Sequence, residues 1–287
     1  MKISTLLDKE QMHMGEAIVI TSGKGGVGKT TTTANLGAAL ALEGKKVVML
    51  DGDIGLRNLD VVMGMENRVV YTIIDVIKGV CEPQKALIRC KKIDGLYLLP
   101  AAQTEDKTAI TPDQMREVVN KLKQDFDYVL IDCPAGIEQG FHNAIAGADK
   151  AIVVTMPEVS AIRDADRAIG LLFAREGGQI EPVLIINRMK EEMAKRGDML
   201  NVEDTIEILG LDLLGAVPYD DEIVISTNKG EPVVTYPTSK AAKEYRSIAK
   251  RLLGEDIPHK ETEPESGGLI SLFKNIFKFG IPSFSNR

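Results

Sequence analysis

A glycine-rich stretch near the start of the chain has the spacing of a phosphate-binding loop. Residues 23–30 read GKGGVGKT and fit the pattern G-x-x-x-x-G-K-[ST]. They follow the apolar run AIVIT and precede the helical pattern TTTTANLGAALALEG. Glycines let a backbone turn tightly and aim its N–H groups at phosphate oxygens, and the start of a helix adds positive potential. The stretch therefore predicts a site for nucleotide phosphates.

Within this loop, Lys29 is predicted to reach the terminal phosphates and Thr30 to offer its hydroxyl to Mg²⁺. A glycine-rich turn with accidental spacing is the alternative, and the flanking strand and helix argue against it. The predicted nucleotide-binding residues are Gly23, Lys24, Gly25, Gly26, Val27, Gly28, Lys29, Thr30 and Thr31.

A second lysine, Lys24, lies near the start of the loop, although Lys29 already meets the need for a lysine. A side chain at this early position can swing away from the phosphates of its own subunit. It can then serve a neighbouring subunit as a cationic group that neutralises charge on a transferring phosphoryl group. A solvated surface lysine is the other interpretation. Spacing in the sequence leaves both open.

Carboxylates follow two further apolar runs. The segment MLDGDIG places Asp51 and Asp53 at the end of the second predicted strand, and YVLIDCPAG places Asp132 at the end of a later one. One carboxylate can hold Mg²⁺ through water while another orients the attacking water. Turn formation at strand ends is the alternative for Asp53 and Asp132. The predicted metal ligands are Thr30, Asp51 and Asp132, and the predicted catalytic residues are Lys29, Asp53 and Asp132, to which the family resemblance described below adds Lys24.

These side chains are positioned by a regular alternation of strands and helices. Short apolar runs recur as EAIVIT, KKVVMLD, LYLLPA, DYVLIDCP, KAIVVTMP, PVLIIN and LDLLGAVP, as in buried parallel strands. Amphipathic stretches lie between them, such as TPDQMREVVNKLKQDF, where Thr111, Pro112 and Gln114 form a helix start with a capping box. The pattern predicts an α/β fold with a doubly wound, mostly parallel sheet over residues 16–254.

Composition narrows the function classes. The formal net charge of -7 argues against a nucleic-acid surface that covers the whole protein, so no nucleic-acid partner is expected. Cys81, Cys90 and Cys133 show no CxxC spacing, so neither a zinc site nor a disulfide framework is indicated. No apolar run is long enough to cross a bilayer. Residues 1–15 lack the character of a signal or transit peptide and are interpreted as a mobile leader.

The C-terminal segment changes character. Residues 255–268 are rich in proline, glycine and acid and predict a flexible linker, and residues 282–287 form a short tail. Between them, residues 269–281 predict an amphipathic helix that anchors the chain to a membrane surface, with Lys274 and Lys278 on its polar side. A last helix that docks on the core is the alternative. The predicted membrane residues are Leu269, Ile270, Leu272, Phe273, Ile276, Phe277 and Phe279 on the apolar arc, which Ile281 extends.

Several motifs resemble the MinD/ParA family of deviant Walker A ATPases over about residues 16–254. They are KGGVGKTT, DGDIGLRNLD, DCPAGIE, PEVSAIRDADR, RGDMLNVEDTIEILG and STNKGEPV. The resemblance implies a P-loop ATPase with ATP and Mg²⁺ as cofactors, in which Lys24 contacts the partner's nucleotide across an ATP-bound homodimer. It also implies that Asn187 of IINRM and Pro218 of AVPYD frame the adenine.

Resemblance to the septum-determining branch of this family implies a role in placing the division septum, in a bacterium or a plastid. The implied partners are an anionic membrane surface, a MinC-like division inhibitor and a MinE-like ATPase activator, which would contact the charged stretch 163–167. The implied location is the cytoplasm and the inner membrane surface, or the stroma and inner envelope of a plastid. Three rivals are a ParA-like DNA-segregation ATPase, an iron-protein-like electron carrier and a non-catalytic nucleotide-gated scaffold.

Overall fold

The computed structural model describes residues 14–105, 109–175 and 180–259. In this part of the chain an eight-stranded sheet has the order β3-β4-β2-β5-β1-β6-β7-β8. Neighbouring strands pair in parallel, apart from the antiparallel pair of β3 and β4. The strands are β1 Glu16–Thr21, β2 Val47–Asp51, β3 Ile88–Arg89, β4 Leu96–Leu99, β5 Tyr128–Asp132, β6 Lys150–Thr155, β7 Pro182–Met189 and β8 Leu213–Pro218. The predicted mostly parallel sheet is confirmed.

Helices cover both faces of the sheet. They are α1 Lys29–Leu42, α2 Leu59–Val62, α3 Ile73–Ile77, α4 Pro83–Ala86, α5 Pro112–Leu122, α6 Gln139–Ala146, α7 Val159–Phe173, α8 Glu191–Lys195, α9 Val202–Leu209, α10 Glu222–Asn228 and α11 Lys240–Leu252, with 3₁₀ turns at Glu66–Arg68 and Val233–Thr235. One core cluster contains buried side chains of α5, α6 and α7, and the opposite cluster contains those of α1 and α11. The sheet is therefore doubly wound.

Strand β1 shows why two cores form. Ala17 and Val19 belong to one cluster, whereas Ile18 and Ile20 belong to the other. Successive side chains of a strand point to opposite faces, so a continuous apolar run supplies both layers. Because β1 lies between β5 and β6, the chain winds in opposite directions on the two sides of β1. In such sheets, ligands bind at the carboxyl ends of the strands near the point where the direction changes.

Local signals were reliable at α5. The Thr111 hydroxyl accepts a hydrogen bond from the Gln114 backbone N–H at 3.3 Å, and the Gln114 side chain accepts one from the Thr111 N–H at 2.9 Å. The predicted capping box is therefore present. The sequence did not predict β3, because two residues at a sheet edge carry too little periodicity to recognise.

Among the described residues, no helix has both the length and the apolar character needed to cross a membrane. The predicted leader up to residue 13 and the predicted amphipathic helix 269–281 lie outside the described residues. The first part of the predicted linker, residues 255–259, is described and contacts α11. There the Glu255 N–H donates to the Lys250 carbonyl at 3.0 Å, and the Arg251 guanidinium donates to the Ile257 carbonyl at 2.9 Å.

Candidate nucleotide site

The glycine-rich loop connects β1 to α1 at the centre of the sheet. Gly26 and Gly28 have positive φ angles of 78° and 103°, a conformation that favours glycine. Gly28 caps α1, and the helix has neither a side-chain cap nor an acidic residue in its first turn. The first N–H groups of a helix have no partner within the helix. The loop therefore leaves a set of backbone donors at a positive helix end, which suits a phosphate.

Lys29 is held inside this loop. Its side chain is buried, and its Nζ donates to Ser22 Oγ at 3.1 Å. Ser22 in turn donates to the Lys24 carbonyl at 2.7 Å, which fixes the hydroxyl. The Lys29 charge is thus positioned at the start of α1 by a neutral hydroxyl. Sequence reasoning missed Ser22, although its place immediately before the motif was a usable signal.

Lys24 contacts a different part of the molecule. Its Nζ donates to Ser160 Oγ in the first turn of α7 at 2.9 Å, at an exposed position. The loop also packs tightly on α7 at Gly23, where an added Cβ would lie 1.7 Å from the Asp164 carbonyl oxygen. The two lysines of one loop therefore occupy separate environments. Nothing near Lys24 in the sequence signals Ser160, which lies 136 positions away.

Two predicted metal ligands meet at the ends of adjacent strands. Asp51 of β2 and Asp132 of β5 are partners in the parallel register, and both are buried. Asp51 accepts backbone hydrogen bonds from Asp53 at 3.0 Å and from Leu59 at 3.2 Å. Asp132 accepts one from the Thr33 hydroxyl at 3.2 Å. The strand register thus brings together two carboxylates that are distant in sequence.

The surroundings of this pair disfavour two negative charges. Burial raises the pKa of Asp51 above its ordinary value, and nearby Asp53 and Asp60 add to the effect, against hydrogen bonds from backbone N–H groups. Burial also raises the pKa of Asp132, and Asp51 adds to it, whereas Thr30, Lys29 and Thr33 act in the opposite direction. A bound cation would reverse this cost by stabilising the charged carboxylates.

The residues fit Mg²⁺ beside a phosphate. Mg²⁺ in such sites is held by one or two carboxylates and by phosphate oxygens. Asp51, Asp132 and the Thr30 hydroxyl, which hydrogen-bonds Asp132, provide that donor set beside the loop. In the described ranges, no group of three or more His, Cys, Asp or Glu side chains has the arrangement of a self-sufficient metal site. The donors are those of a metal shared with a ligand.

Asp53 lies half-buried in the loop that follows β2. Its carbonyl accepts from the Arg57 N–H at 3.1 Å, and Arg57 forms an ion pair with the fully buried Asp60 at 2.8 Å. The left-handed φ of Arg57, 39°, shows that the chain turns sharply there. These contacts hold the loop at the edge of the site. Sequence reasoning did not select Arg57 or Asp60, since their pairing depends on the local turn.

The two residues assigned to adenine have different positions. Asn187 of β7 is buried, and its Nδ2 donates to the Val27 carbonyl at 2.8 Å. It lies so close to the loop that a Cβ on Gly28 would be 2.2 Å from Nδ2. Pro218 is half-buried at the end of β8, where it pairs with Met189. The structure thus links Asn187 directly to the phosphate loop, and the adenine contacts stay a prediction.

A glycine loop between a central parallel strand and a helix, with a buried lysine and two carboxylates at neighbouring strand ends, defines a P-loop nucleoside triphosphatase. The ParA family model, described as NUBPL iron-transfer P-loop NTPase, matches residues 13–253. The septum site-determining protein MinD of Bacillus subtilis is 56% identical over 266 residues, which cover 92% of this chain and 98% of the relative. The chain belongs to the MinD family of septum site-determining ATPases, within the ParA group of P-loop enzymes.

Solved structures agree with this assignment. MinD in the MinC:MinD cell division protein complex of Aquifex aeolicus superposes with a TM-score of 0.80 at 48% identity, covering 87% of this chain and 100% of that one. The MinD protein of Pyrococcus horikoshii, complexed with Mg-ADP, superposes with a TM-score of 0.75 at 33% identity, covering 85% of this chain and 100% of that one. Both similarities extend over nearly the whole described domain.

Proposed function

We propose that this chain binds and hydrolyses ATP with Mg²⁺, closes into a homodimer around the nucleotides, and uses residues 269–281 to bind an anionic membrane where the division septum is placed. The observation that carries the proposal is the separation of the two loop lysines. Lys29 is buried at the start of α1, whereas Lys24 is half-buried and donates to the exposed Ser160 of α7. A lysine whose hydrogen bond lies at an exposed position is available to a second subunit.

Within one subunit, the loop N–H groups and Lys29 bind the phosphates, and Thr30 with the carboxylates of Asp51 and Asp132 binds the metal. Mg²⁺ held by these residues would supply positive charge to the phosphate oxygens. Asp53 orients the attacking water from the adjacent loop. That the Pyrococcus horikoshii relative was solved in complex with Mg-ADP supports magnesium and an adenine nucleotide as what this site binds. Asn187 holds the backbone of the loop. Asn187 and Pro218 also border the adenine.

In the dimer, Lys24 leaves Ser160 and contacts the partner subunit's nucleotide. This contact adds positive charge where negative charge develops on the transferring phosphoryl group. The Lys24 ammonium thereby exchanges a neutral hydroxyl acceptor for an anionic phosphate oxygen, and this exchange favours the dimer when the partner's nucleotide is bound. Dimerisation thereby depends on the state of the nucleotide.

Membrane binding follows from dimerisation through avidity. One short amphipathic helix with two lysines binds an anionic surface weakly. When two such helices are linked, the second contact is intramolecular, and avidity rises by roughly 10² to 10⁴. Hydrolysis then releases the dimer and both anchors. The chain is accordingly cytoplasmic and peripheral on the inner membrane, or in the corresponding place in a plastid.

A MinC-like inhibitor is proposed as one partner, supported by the MinC:MinD complex of Aquifex aeolicus. A MinE-like activator is proposed as another. Arg163 and Arg167 are exposed on α7, the helix whose first turn holds Lys24 through Ser160. An activator that contacts this helix is therefore placed to change the position of Lys24.

ATP-dependent sedimentation with liposomes tests the proposal. The full chain should co-sediment with vesicles of anionic phospholipid when ATP and Mg²⁺ are present, and it should remain in the supernatant with ADP. Lys29→Ala, which removes the main phosphate contact, is the negative control. Binding that is equal in ATP and ADP would contradict nucleotide-controlled membrane residence.

The same preparation distinguishes the rivals. A ParA-like protein would bind DNA with ATP, and the net charge of -7 weighs against it. An electron carrier needs accessible paired cysteines, but Cys90 and Cys133 are buried, and burial raises the pKa of Cys133 to about 12. An iron assay tests this alternative. ATP turnover measured with liposomes and the activator separates an ATPase from a non-catalytic scaffold.

A further inference from the structure

A groove of about 590 Å³ runs beside β8, at the edge of the sheet in the described residues. In the sheet order of the described residues, β8 is the last strand and pairs only with β7. The groove floor is formed by Leu213, Ala216 and Pro218 of this edge strand, and α9 contributes Val202 and Ile206 to a wall. An edge strand beside partly buried apolar side chains is a surface that accepts another segment of chain.

The chain itself enters this groove at its C-terminal end. Pro258 and His259, the last described residues, line the groove, and His259 hydrogen-bonds the Leu213 backbone. Arg251 fixes this course: its guanidinium donates to the carbonyl of Leu214 at 2.8 Å and to that of Pro258 at 3.1 Å. The chain therefore leaves the domain along the start of β8 rather than away from it.

We propose that the amphipathic segment 269–281 of the same chain docks in this groove when no membrane is available. Residues 260–268, extended at about 3.3 Å each, reach roughly 30 Å, whereas a six-residue strand such as β8 is about 20 Å long. The segment therefore reaches every part of the groove from His259. A short tether gives the segment an effective concentration in the millimolar range.

The chemistry of the groove matches the segment. Apolar side chains such as Ile206 and Leu213 form its interior, and the apolar arc around Phe273 and Phe277 is what the segment must bury. Lys240 and Lys243 are exposed on the α11 side of the rim. The connecting residues carry Glu261, Glu263 and Glu265. These charges attract in the docked arrangement.

Docking in the groove and insertion into a membrane use the same apolar arc, so the two states exclude each other. The groove thus lowers the membrane affinity of a single subunit, whereas a dimer with two anchors overcomes the cost through avidity. This regulatory consequence rests on the proposed membrane function, but the docking itself does not.

Hydrogen exchange of the full chain tests the docking without lipid. The comparison is between the wild type and the double variant Phe273→Glu with Phe277→Glu, whose segment no longer has an apolar arc. We expect amides of 202–206 and 213–218 to exchange at least about tenfold faster in the double variant. Equal exchange in these peptides would overturn the proposal. Protection that disappears on dilution of the wild type would identify a second copy as the occupant and would also overturn it.

A groove variant gives an independent test. Val202→Glu places a charge in the groove at the first position of α9, where an acidic residue is compatible with the helix. Lys243→Glu changes only an exposed rim charge and avoids any cost in folding. Both should accelerate exchange in 213–218 and raise liposome binding in ADP several-fold over the wild type. Val70→Glu, at a site that is 79% exposed, should change neither. Unchanged exchange and binding in both groove variants would contradict the docking.

The two measurements separate this inference from the proposed function. If the double variant loses ATP-dependent sedimentation while exchange matches the wild type, the membrane function stands and the groove docking is wrong. If the wild type never sediments with ATP but the exchange difference is present, the docking stands and the membrane function is wrong.

Discussion

Lys24 and Lys29 belong to one loop but lie in different environments. Their ammonium groups donate to two different serines, Ser22 at 3.1 Å for Lys29 and Ser160 at 2.9 Å for Lys24. The first contact is buried and the second is exposed. A buried charge beside backbone donors suits a ligand of its own subunit, whereas a charge hydrogen-bonded to an exposed neutral hydroxyl is easily redirected.

Lys24→Ala should keep nucleotide binding to the monomer and lose the productive ATP dimer, since the proposed contact lies across the interface. Stimulated turnover is expected to fall by about 10³-fold, the low end for a cationic finger supplied in trans. Size-exclusion chromatography with ATP and a phosphate-release assay measure the two effects. Lys121→Ala, on the exposed side of α5, is the matched control and should behave as the wild type. A normal dimer with normal stimulated turnover would return Lys24 to a solvated surface role.

The paired carboxylates make stability depend on pH. Burial raises the pKa of Asp132 from 3.8 to about 7, so the folded, ligand-free protein binds more protons than the unfolded chain. This contribution to the unfolding free energy is fully present below the unfolded pKa and is lost as the pH rises through the folded one. Asp132→Asn removes the titration and keeps an oxygen that accepts from Thr33.

Urea unfolding between pH 4 and pH 8 measures this effect. The unfolding free energy of the wild type minus that of Asp132→Asn should fall as the pH rises through this window. With Mg²⁺ and a non-hydrolysable ATP analogue the slope should shrink, because a cation favours the charged carboxylates. A difference that is constant across the pH range, or that grows with pH, would show that burial does not control this pair.

At the scale of the element, the start of α1 depends on a close contact between Gly28 of the phosphate loop and Asn187 of β7. Gly28 adopts a φ of 103°, and a Cβ there would lie 2.2 Å from Asn187 Nδ2. The amide of Asn187 donates to the Val27 carbonyl, so the loop is held from β7 as well as from β1. The glycine is thus required by both its conformation and its neighbour.

Gly28→Ala should therefore destabilise the protein by about 2 kcal/mol or more, from left-handed strain and from displacement of Asn187. Gly170→Ala is the matched control, because Gly170 lies within α7 and there is open space where an added Cβ would lie. That change should be neutral or should stabilise by about 0.5–1 kcal/mol. Chemical denaturation measures both. Equal stability of the two variants would mean that the loop relaxes without cost.

The α5 capping box gives a prediction that depends only on local structure. Thr111→Ala removes the acceptor for the Gln114 N–H and should lower the unfolding free energy by about 1 kcal/mol. Thr111→Ser keeps the oxygen and should retain most of the stabilisation that the alanine variant loses. Thermal melting of the two variants measures the difference. If the serine variant lost as much as the alanine variant, the hydroxyl would not be the stabilising group.

At the scale of the whole molecule, the proposed function gives the ATPase core and the C-terminal segment separate tasks. The core is closed by α1 and α11 on one face of the sheet and by α5 to α7 on the other. The chain then leaves from α11 beside β8. A change in the segment should therefore alter where the protein goes without altering what the site does.

Phe273→Glu should abolish ATP-dependent sedimentation with anionic liposomes while ATP-driven dimerisation persists. It removes a large apolar ring and sets a negative charge against anionic lipid. Val70→Glu makes the same kind of apolar-to-acidic change at an exposed position of the ATPase domain, and it is the matched control. Undiminished sedimentation of Phe273→Glu would refute the anchor. A markedly lowered melting temperature would instead indicate that the segment is an integral part of the core.

The sequence by itself determined the elements and the chemistry of the loop. Seven strands, the α5 capping box and the positions of Lys29, Asp51 and Asp132 follow from periodicities and spacings that act over a few residues. Such signals are encoded locally, because apolar alternation and capping depend on neighbours in the chain. Among the strands of the described residues, the short edge strand β3 was not predicted.

The tertiary structure alone decided which distant residues complete the site. Ser160 reaches Lys24 from 136 positions away, and Asn187 reaches Val27 from 160 positions away. The register of β2 with β5 sets Asp51 beside Asp132, and the position of β8 at the end of the sheet leaves the groove along which the chain departs. These contacts depend on the order of the strands in the sheet. That order minimises the exposed apolar surface of the whole fold, so no local sequence pattern specifies it.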